Sequence, residues 1–486
     1  MPIDDIRDSK IQKVYDMKKK GIDPYPRTSK RSHKIGDAIA DFDVLAESKK
    51  DLTLAGRIMA MREHGGSIFM DLDDGSGKIQ AYIKKDIIGG DDFDNFKSFV
   101  DIGDFVEVSG FLFKTKKAER TIEAKEYVLL SKSLLPLPEK WHGLTDVEER
   151  YRKRYLDLLF NEDVRGKFQM RFKILDLIRE FFRKNDFTEV ETPILQPIPG
   201  GATARPFKTF MNDLKMELYL RVAPELYLKR LLVGGFERVF EIAKNFRNEG
   251  MDREHNPEFD MLEAYASYHD YNWMMELTED LMVFLAMELY GNNEIKYGDS
   301  VVRINKPFKR ITFNNVVKEY SGLDYDVDDE KAFIKKAEEL NIQIDKTMSK
   351  ANIADEIFKK LARPKMIDPV FVIDHPIELS PLTKKIPSNQ GHVERFQLLI
   401  GGFELTNAFT ELNDPLDQRE RFDAQEKMRS RGNEEAQRLD QDFIDALEHG
   451  MPPATGIGIG IDRLVALYTD SHSLRDILLF PTMKSR

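Results

Sequence analysis

Residues 240–265 read FEIAKNFRNEGMDREHNPEFDMLEAY. Apolar and polar residues alternate over Phe240–Phe246 and again over Pro257–Tyr265, on either side of a charged loop that contains Gly250. Period-two alternation is the mark of a strand, and two such runs around one loop make a hairpin with a long tip. Parity then assigns faces. Arg247 and Glu249 share one face along the first strand, and Phe259, Glu263 and Tyr265 share one along the second. A single sheet surface can therefore carry an arginine, two carboxylates, an aromatic ring and a phenol. Taken singly, each of these residues is more readily a solvated side chain with an incidental ion pair.

Two later segments carry related patterns. Gly401–Asp414 reads GGFELTNAFTELND, with Asn407, Phe409 and Glu411 alternating on one face. Glu404 has the opposite parity and joins that face only if a bulge intervenes. Upstream, Arg395 and Gln397 are in register with each other. Ala454–Leu467 reads ATGIGIGIDRLVAL, with Gly456, Gly458 and Gly460 alternating along an apolar strand. Glycines on one face leave a floor where a planar ring can lie against backbone. The strand then turns into a helix beginning near Asp462-Arg463, where an arginine in the first turn can reach a phosphate. A glycine-tolerant core strand is the plain alternative. The spacing is not that of the GxGxxG dinucleotide fingerprint, and the chain contains no GxxxxGK[ST] phosphate loop.

Working outward from these segments, residues 9–20 form a candidate helix ended by Gly21 and by Pro24 and Pro26. Leu52–Ala60, Ser67–Leu72, Lys78–Ile83, Asp104–Leu112 and Thr121–Leu130 are short strand candidates separated in part by glycine-rich turns. Their number and spacing suit a five-stranded oligonucleotide-binding (OB-fold) β-barrel, with an unrelated small β-domain as the alternative. Leu134–Pro138 reads as a linker. Asp146–Leu159 and Phe168–Lys184 follow as helices. Strand candidates at 216–222, 237–246, 257–267, 370–374, 395–411 and 455–461 lack regular βαβ alternation, which predicts a mostly antiparallel sheet. Residues 326–363 form a charged helical insertion. The expected class is α+β, with a barrel domain over 1–140 and a larger sheet-and-helix domain over 141–486.

Composition narrows the function. The chain has 486 residues, 41% hydrophobic and 33% charged, and no cysteine. Disulfides, thiolate metal sites and cysteine nucleophiles are therefore excluded. Met1–Lys20 lacks an apolar stretch of signal-peptide length, and the longest apolar run, Leu281–Met287, cannot span a bilayer. A cytoplasmic protein without membrane attachment is expected. The net charge is −11, yet residues 1–34 hold ten Lys+Arg against five Asp+Glu, and residues 1–140 hold 25 of each sign. Any RNA is thus expected on the N-terminal part.

In order and spacing, FRNE…HNPEF…LE and GIGIGIDRL resemble motifs 2 and 3 of the class II aminoacyl-tRNA synthetases. Helix Phe168–Lys184 with DFTEVETPIL resembles motif 1, which builds the family's dimer interface. A preceding barrel is the mark of subclass IIb, whose members serve aspartate, asparagine or lysine. A lysine pocket needs carboxylates for a desolvated ammonium, whereas an aspartate pocket needs cations. Glu225 stands where aspartate- and asparagine-type relatives carry an amide. PGGATARPF, APELYLKR, HNPEFDMLEAY and FTELNDP closely resemble the lysyl branch. Sibling aspartyl- or asparaginyl-type enzymes, a non-catalytic RNA-binding relative and a lysine ligase acting on protein remain the alternatives.

The resemblance implies roles. Gly201 and Glu225 would hold the α-amino group of L-lysine. Arg247 would bridge its carboxylate and the ATP α-phosphate. Glu411 and Tyr265 would take the ε-ammonium, with Glu263, Asn407 and Phe409 shaping the pocket. Phe259 would stack on adenine, and Glu249 would meet the adenine edge or its ribose. His255 and Arg463 would approach the outer phosphates beside Gly460. Magnesium would fall to Glu404 and Glu411, with Gln397 standing where the family usually has a further carboxylate; an amide is the poorer Mg²⁺ ligand. In the barrel, Arg57, Phe69, Gln80 and Glu119 fall at positions of the anticodon readers of tRNA(Lys). A homodimer is expected.

Overall fold

The computed structural model describes residues 2–138, 146–345, 348–430 and 437–485. The chain forms two compact units, Met1–Asp146 and Val147–Arg486. The boundary expected at 140/141 lies outside the described residues.

In the first unit, helix α1 (Ile3–Lys19) precedes strands β1 (Leu52–His64), β2 (Ser67–Asp73), β3 (Lys78–Lys84), β4 (Phe105–Lys114) and β5 (Arg120–Ser131). They close in the order β1-β2-β3-β5-β4. Alternation sets the faces: Ile68, Met70 and Leu72 of β2, with Ile79, Ala81 and Ile83 of β3, fill the interior. Phe69, Asp71, Gln80 and Tyr82 consequently point outward.

The second unit is built on one twisted sheet. Its strands are β6 (Thr188–Glu189), β7 (Arg238–Phe246), β8 (Glu258–Ser267), β9 (Lys309–Thr312), β10 (Val370–Pro376), β11 (Asn389–Ile400), β12 (Phe403–Thr410) and β13 (Ala454–Gly460). Spatial order is β9-β10-β11-β12-β13-β8-β7-β6, with Lys385–Ile386 added against β11. Only the two edge pairs, β9–β10 and β6–β7, are parallel. The predicted antiparallel sheet is therefore observed. The candidate 395–411 is two strands, because Gly401 and Gly402, at φ 64° and 86°, make the tight turn between them.

The same alternation divides this sheet into a packed face and an open face. Leu262, Ala264 and Ala266 of β8, Phe396 and Leu398 of β11, and Ile457 and Ile459 of β13 enter the core. There they meet helix α2 (Glu162–Lys184), through Ile174, Leu177, Ile178, Phe181 and Phe182, and helix Tyr271–Tyr290. Each such side chain contributes about 1.5–3 kcal/mol on burial. The residues of opposite parity line the open face. Helix α3 (Glu225–Val233) packs against β7 and β8, and helix α4 (Lys350–Leu361) belongs to the insertion between β9 and β10. That insertion has its own core around Phe313, Phe333 and Phe358. Helix α5 (Ile461–Tyr468) leaves directly from β13.

Candidate active site

The open face carries a cavity of about 490 Å³. β7 ends at Phe246, so Arg247 lies just past the strand, yet its N–H donates to the Pro257 carbonyl at 2.9 Å and extends the hairpin ladder. The half-buried Arg247 holds its guanidinium 5.0 Å from the centre of the Phe259 ring. Its Nε has no hydrogen-bond partner. Burial lowers its pKa, while Glu249 and Glu263 resist that fall. An arginine so placed is a strong, desolvated donor for a carboxylate or phosphate.

Arg463 enters from the first turn of α5. Its Nη1 donates to the Glu404 carbonyl at 2.9 Å, and its Nη2 lies 3.4 Å from His255 Nε2. His255 Nδ1 in turn contacts Asp252 at 2.9 Å. The helix is anchored from below: Arg171 of α2 donates to Asp462 Oδ1 at 2.8 Å and to Asp260 Oδ2 at 2.5 Å.

Glu404 reaches the cavity by the bulge its parity required. The β11–β12 register shifts between Leu398↔Thr406 and Leu399↔Glu404, leaving Leu405 as the extra residue. Glu404, Asn407, Phe409, Arg395 and Gln397 then all line the cavity. Arg395 donates to Asn407 Oδ1 at 2.7 Å and to Ser380 Oγ at 2.9 Å, fixing that wall. Gln397 is buried, and its Oε1 has no hydrogen-bond partner.

The far end of the cavity is a cluster of buried carboxyls. Tyr265 Oη donates to Glu263 Oε2 at 3.0 Å. Glu263 is pushed up to about 8, first by burial and next by Glu225. Lys229, one turn after Glu225 on α3, is wholly buried. Its ammonium donates to Glu225 Oε1 at 2.6 Å and pairs with Glu411 Oε2. Burial opposes its charge, but Glu225 and Glu411 outweigh burial and hold its pKa above the usual value. Gly201, at φ 87°, backs this end; a Cβ there would lie 2.8 Å from Glu225 Cβ.

Of the residues singled out in the sequence for this site, Gly201, Glu225, Arg247, Glu249, His255, Phe259, Glu263, Tyr265, Gln397, Glu404, Asn407, Phe409, Gly460 and Arg463 line the cavity. Glu411 does not. It follows the end of β12, wholly buried behind Gly456. Glu411, also expected as a magnesium ligand, has its Oε2 against the Lys229 ammonium. The glycine floor is corrected too, since Gly456 makes room for Tyr265 and Glu411 and Gly458 for Met261, rather than for a ring alone. Sequence reasoning missed Lys229, Arg171, and the cavity-lining Asp355 and Lys359 of α4. Lys229 and the Asp355–Lys359 pair left a readable signal, opposite charges at i,i+4 on a helix.

On the barrel, Phe69 stacks on Tyr82 with centroids 4.7 Å apart, and Tyr82 lies 6.3 Å from Phe113. Gln80 Oε1 accepts from Thr121 Oγ1 at 3.1 Å, and the same hydroxyl lies 3.2 Å from the Glu119 carbonyl, so these two residues are neighbours. Arg57 donates to the Gly103 carbonyl at 2.9 Å and covers the Phe105 ring at 4.2 Å.

A six-stranded antiparallel core with an arginine after one hairpin strand and another at a glycine-strand/helix junction is the arrangement of a class II tRNA synthetase. The family model described as tRNA synthetases class II (D, K and N) matches residues 146–484, and that of an OB-fold nucleic acid binding domain matches residues 52–130. Lysine–tRNA ligase of Clostridium tetani is 49% identical over 478 residues, covering 97% of this chain and 95% of the relative. That of Thermosipho africanus is 45% identical, covering 99% and 96%, and that of Roseiflexus sp. is 46% identical over the whole of both chains. The chain belongs to the lysine–tRNA ligase family.

Proposed function

We propose that the chain activates L-lysine with ATP and transfers it to the 3′ end of tRNA(Lys), using the residues brought together on the open face. One observation carries the amino-acid choice. Glu225, Glu263 and Glu411 are three buried carboxyls beside one resident ammonium, Lys229. Fully ionised, that cluster has two negative charges in excess, and lysine brings two ammonium groups. Aspartate or asparagine brings a single ammonium and would leave one of the two unmatched, at a cost of several kcal/mol per uncompensated buried charge.

In this reading the lysine carboxylate is the nucleophile. Arg247 holds it against the α-phosphate, a bond forms from carboxylate oxygen to the α-phosphorus, and the bond to the bridging oxygen breaks to release pyrophosphate. Phe259 stacks on adenine, Glu249 meets its edge or ribose, and Arg463 with His255 receives the outer phosphates. The 3′-terminal hydroxyl of the tRNA then attacks the acyl carbon and AMP departs. No side-chain nucleophile is needed; alignment and charge neutralisation lower the barrier. Glu404 and the unpartnered Gln397 amide oxygen are hard oxygen donors of the kind that would hold Mg²⁺. When bound, it would neutralise phosphate charge.

Phe69 and Tyr82 offer stacking faces for splayed bases, with Gln80 and Glu119 near them for hydrogen bonding and Arg57 farther along β1, over Phe105. The exposed Phe172 on α2, with Ile194 and Leu195 beyond it, suits burial against a second copy. A chain that charges tRNA for protein synthesis would work in the cytoplasm. Among the described residues no helix is long and apolar enough to cross a membrane. Glu411→Gln tests the lysine site: lysine KM rises well over tenfold with ATP KM unchanged, and an unchanged lysine KM removes Glu411 from it.

A further inference from the structure

Lys229 sits in no step of the chemistry above, yet with Glu411 it is wholly enclosed at the amino-acid end of the cavity. Its side chain is 0% exposed, and the Phe409 and Phe443 rings lie 5.5 and 5.9 Å from its ammonium. One Nζ spans Glu225 Oε1, at 2.6 Å, and Glu411 Oε2. Glu411 Oε1 is buried and has no hydrogen-bond partner.

We propose that Lys229 is a specificity-determining positioning residue: its ammonium takes one oxygen of Glu225 and one of Glu411, leaving a single oxygen of each for the α- and ε-ammonium groups of the substrate. This rests on the lysine-site reading of those two carboxyls. Two consequences follow from the geometry. The bridge ties the two ends of the amino-acid site together, so the spacing between the ammonium subsites is set by an internal lysine. The resident charge also keeps the cluster ionisable. The groups facing it are Glu225 from its own helix and Glu411 at the end of β12; Glu263 and Tyr265 of β8 act on those carboxyls in turn, and Arg247 is the next cation, acting on Glu263. Without Lys229, burial and mutual repulsion would hold these carboxyls protonated to higher pH.

The test is Lys229→Met, assayed by ATP–pyrophosphate exchange across pH. Lysine KM is expected to rise more than tenfold near neutral pH with ATP KM within twofold of wild type, and the lysine kcat/KM profile is expected to move to higher pH. A lysine KM and profile like wild type would overturn the inference. If the single variant does not fold, Lys229→Met/Glu411→Gln removes the Lys229–Glu411 pair together and leaves Glu225 as the one carboxyl without its partner. The inference expects its lysine KM to lie within tenfold of that of Glu411→Gln alone, because Lys229 and Glu411 act as a unit. A further independent rise of tenfold or more would overturn it. Failure of the lysine site is separately visible, since Glu411→Gln and Glu225→Gln would then leave lysine KM unchanged.

Discussion

A Cβ built on Gly456 would lie 2.2 Å from Oε1 of Glu411. The glycine on β13 is therefore the opening through which a wholly buried carboxylate can meet something in the cavity. The same hypothetical Cβ would lie 2.4 Å from Tyr265 Cε1, so both proposed ε-ammonium partners converge on this residue. Gly456→Ala overpacks the junction at about 1–3 kcal/mol. We expect lysine KM to rise roughly tenfold or more, by that energy, with ATP KM unchanged; a wild-type lysine KM would place the ammonium elsewhere.

The carboxyl cluster sets a pH dependence. Glu263 is held at about 8, and burial raises Glu225 as well. A protonated carboxyl cannot pair with an ammonium, so lysine KM falls as pH rises toward 8. The stability of the free protein runs the other way. A carboxyl with a raised folded-state pKa contributes stability below its unfolded value and loses it as pH rises through the folded one. The free protein thus loses stability through these groups between about pH 4.5 and pH 8, and lysine restores part of it. Thermal unfolding should show a larger lysine-induced rise in Tm near pH 8 than near pH 6. Equal shifts would contradict the cluster's role.

Gln397 presents an unpartnered oxygen where the family usually carries a carboxylate. Gln397→Glu should lower the Mg²⁺ concentration for half-maximal adenylate formation severalfold, since a charged oxygen binds Mg²⁺ better than an amide. An unchanged magnesium titration would remove residue 397 from the metal site.

Arg171 is remote from any substrate but holds Asp462 and Asp260 under Arg463. Arg171→Met leaves the buried Asp462 unmatched while Asp260 keeps Lys244 at 2.8 Å, a loss of about 3–5 kcal/mol in denaturant unfolding. ATP KM should rise as Arg463 loosens, with lysine KM little affected. Loss of stability with an unchanged ATP KM would reduce Arg171 to a structural role.

Tyr82→Ala and Phe69→Ala should each raise tRNA KM by about 1–3 kcal/mol per base no longer stacked. Lysine-dependent ATP–pyrophosphate exchange, which needs no tRNA, should stay within twofold. A wild-type charging KM would move the base-reading surface off this face.

How much of this was legible in the sequence follows from the range of each signal. Strand parity is local, so the outward Phe69 and Gln80, the inward Leu262 and Ala264, and the cavity-facing Glu263 and Tyr265 were readable by alternation. The bulge at Leu405 was readable only as a condition on Glu404, because nothing local demands it. Glu411 had the right parity but lies beyond the end of its strand, where alternation stops fixing direction. Lys229 and Arg171 were missed for a different reason. Their partners, Glu411, Asp260 and Asp462, are distant in sequence, and a buried charge looks like a surface one until the fold supplies its counter-charge. Asp355 and Lys359 were hidden for the same reason, since only the packing of the insertion brings α4 to the cavity.

The central claim is that three buried carboxyls against one resident ammonium select a diammonium substrate. ATP–pyrophosphate exchange with each of the twenty amino acids tests it most directly. Exchange should occur with lysine and fall to background with aspartate and asparagine. Exchange with aspartate or asparagine but not with lysine would contradict the account.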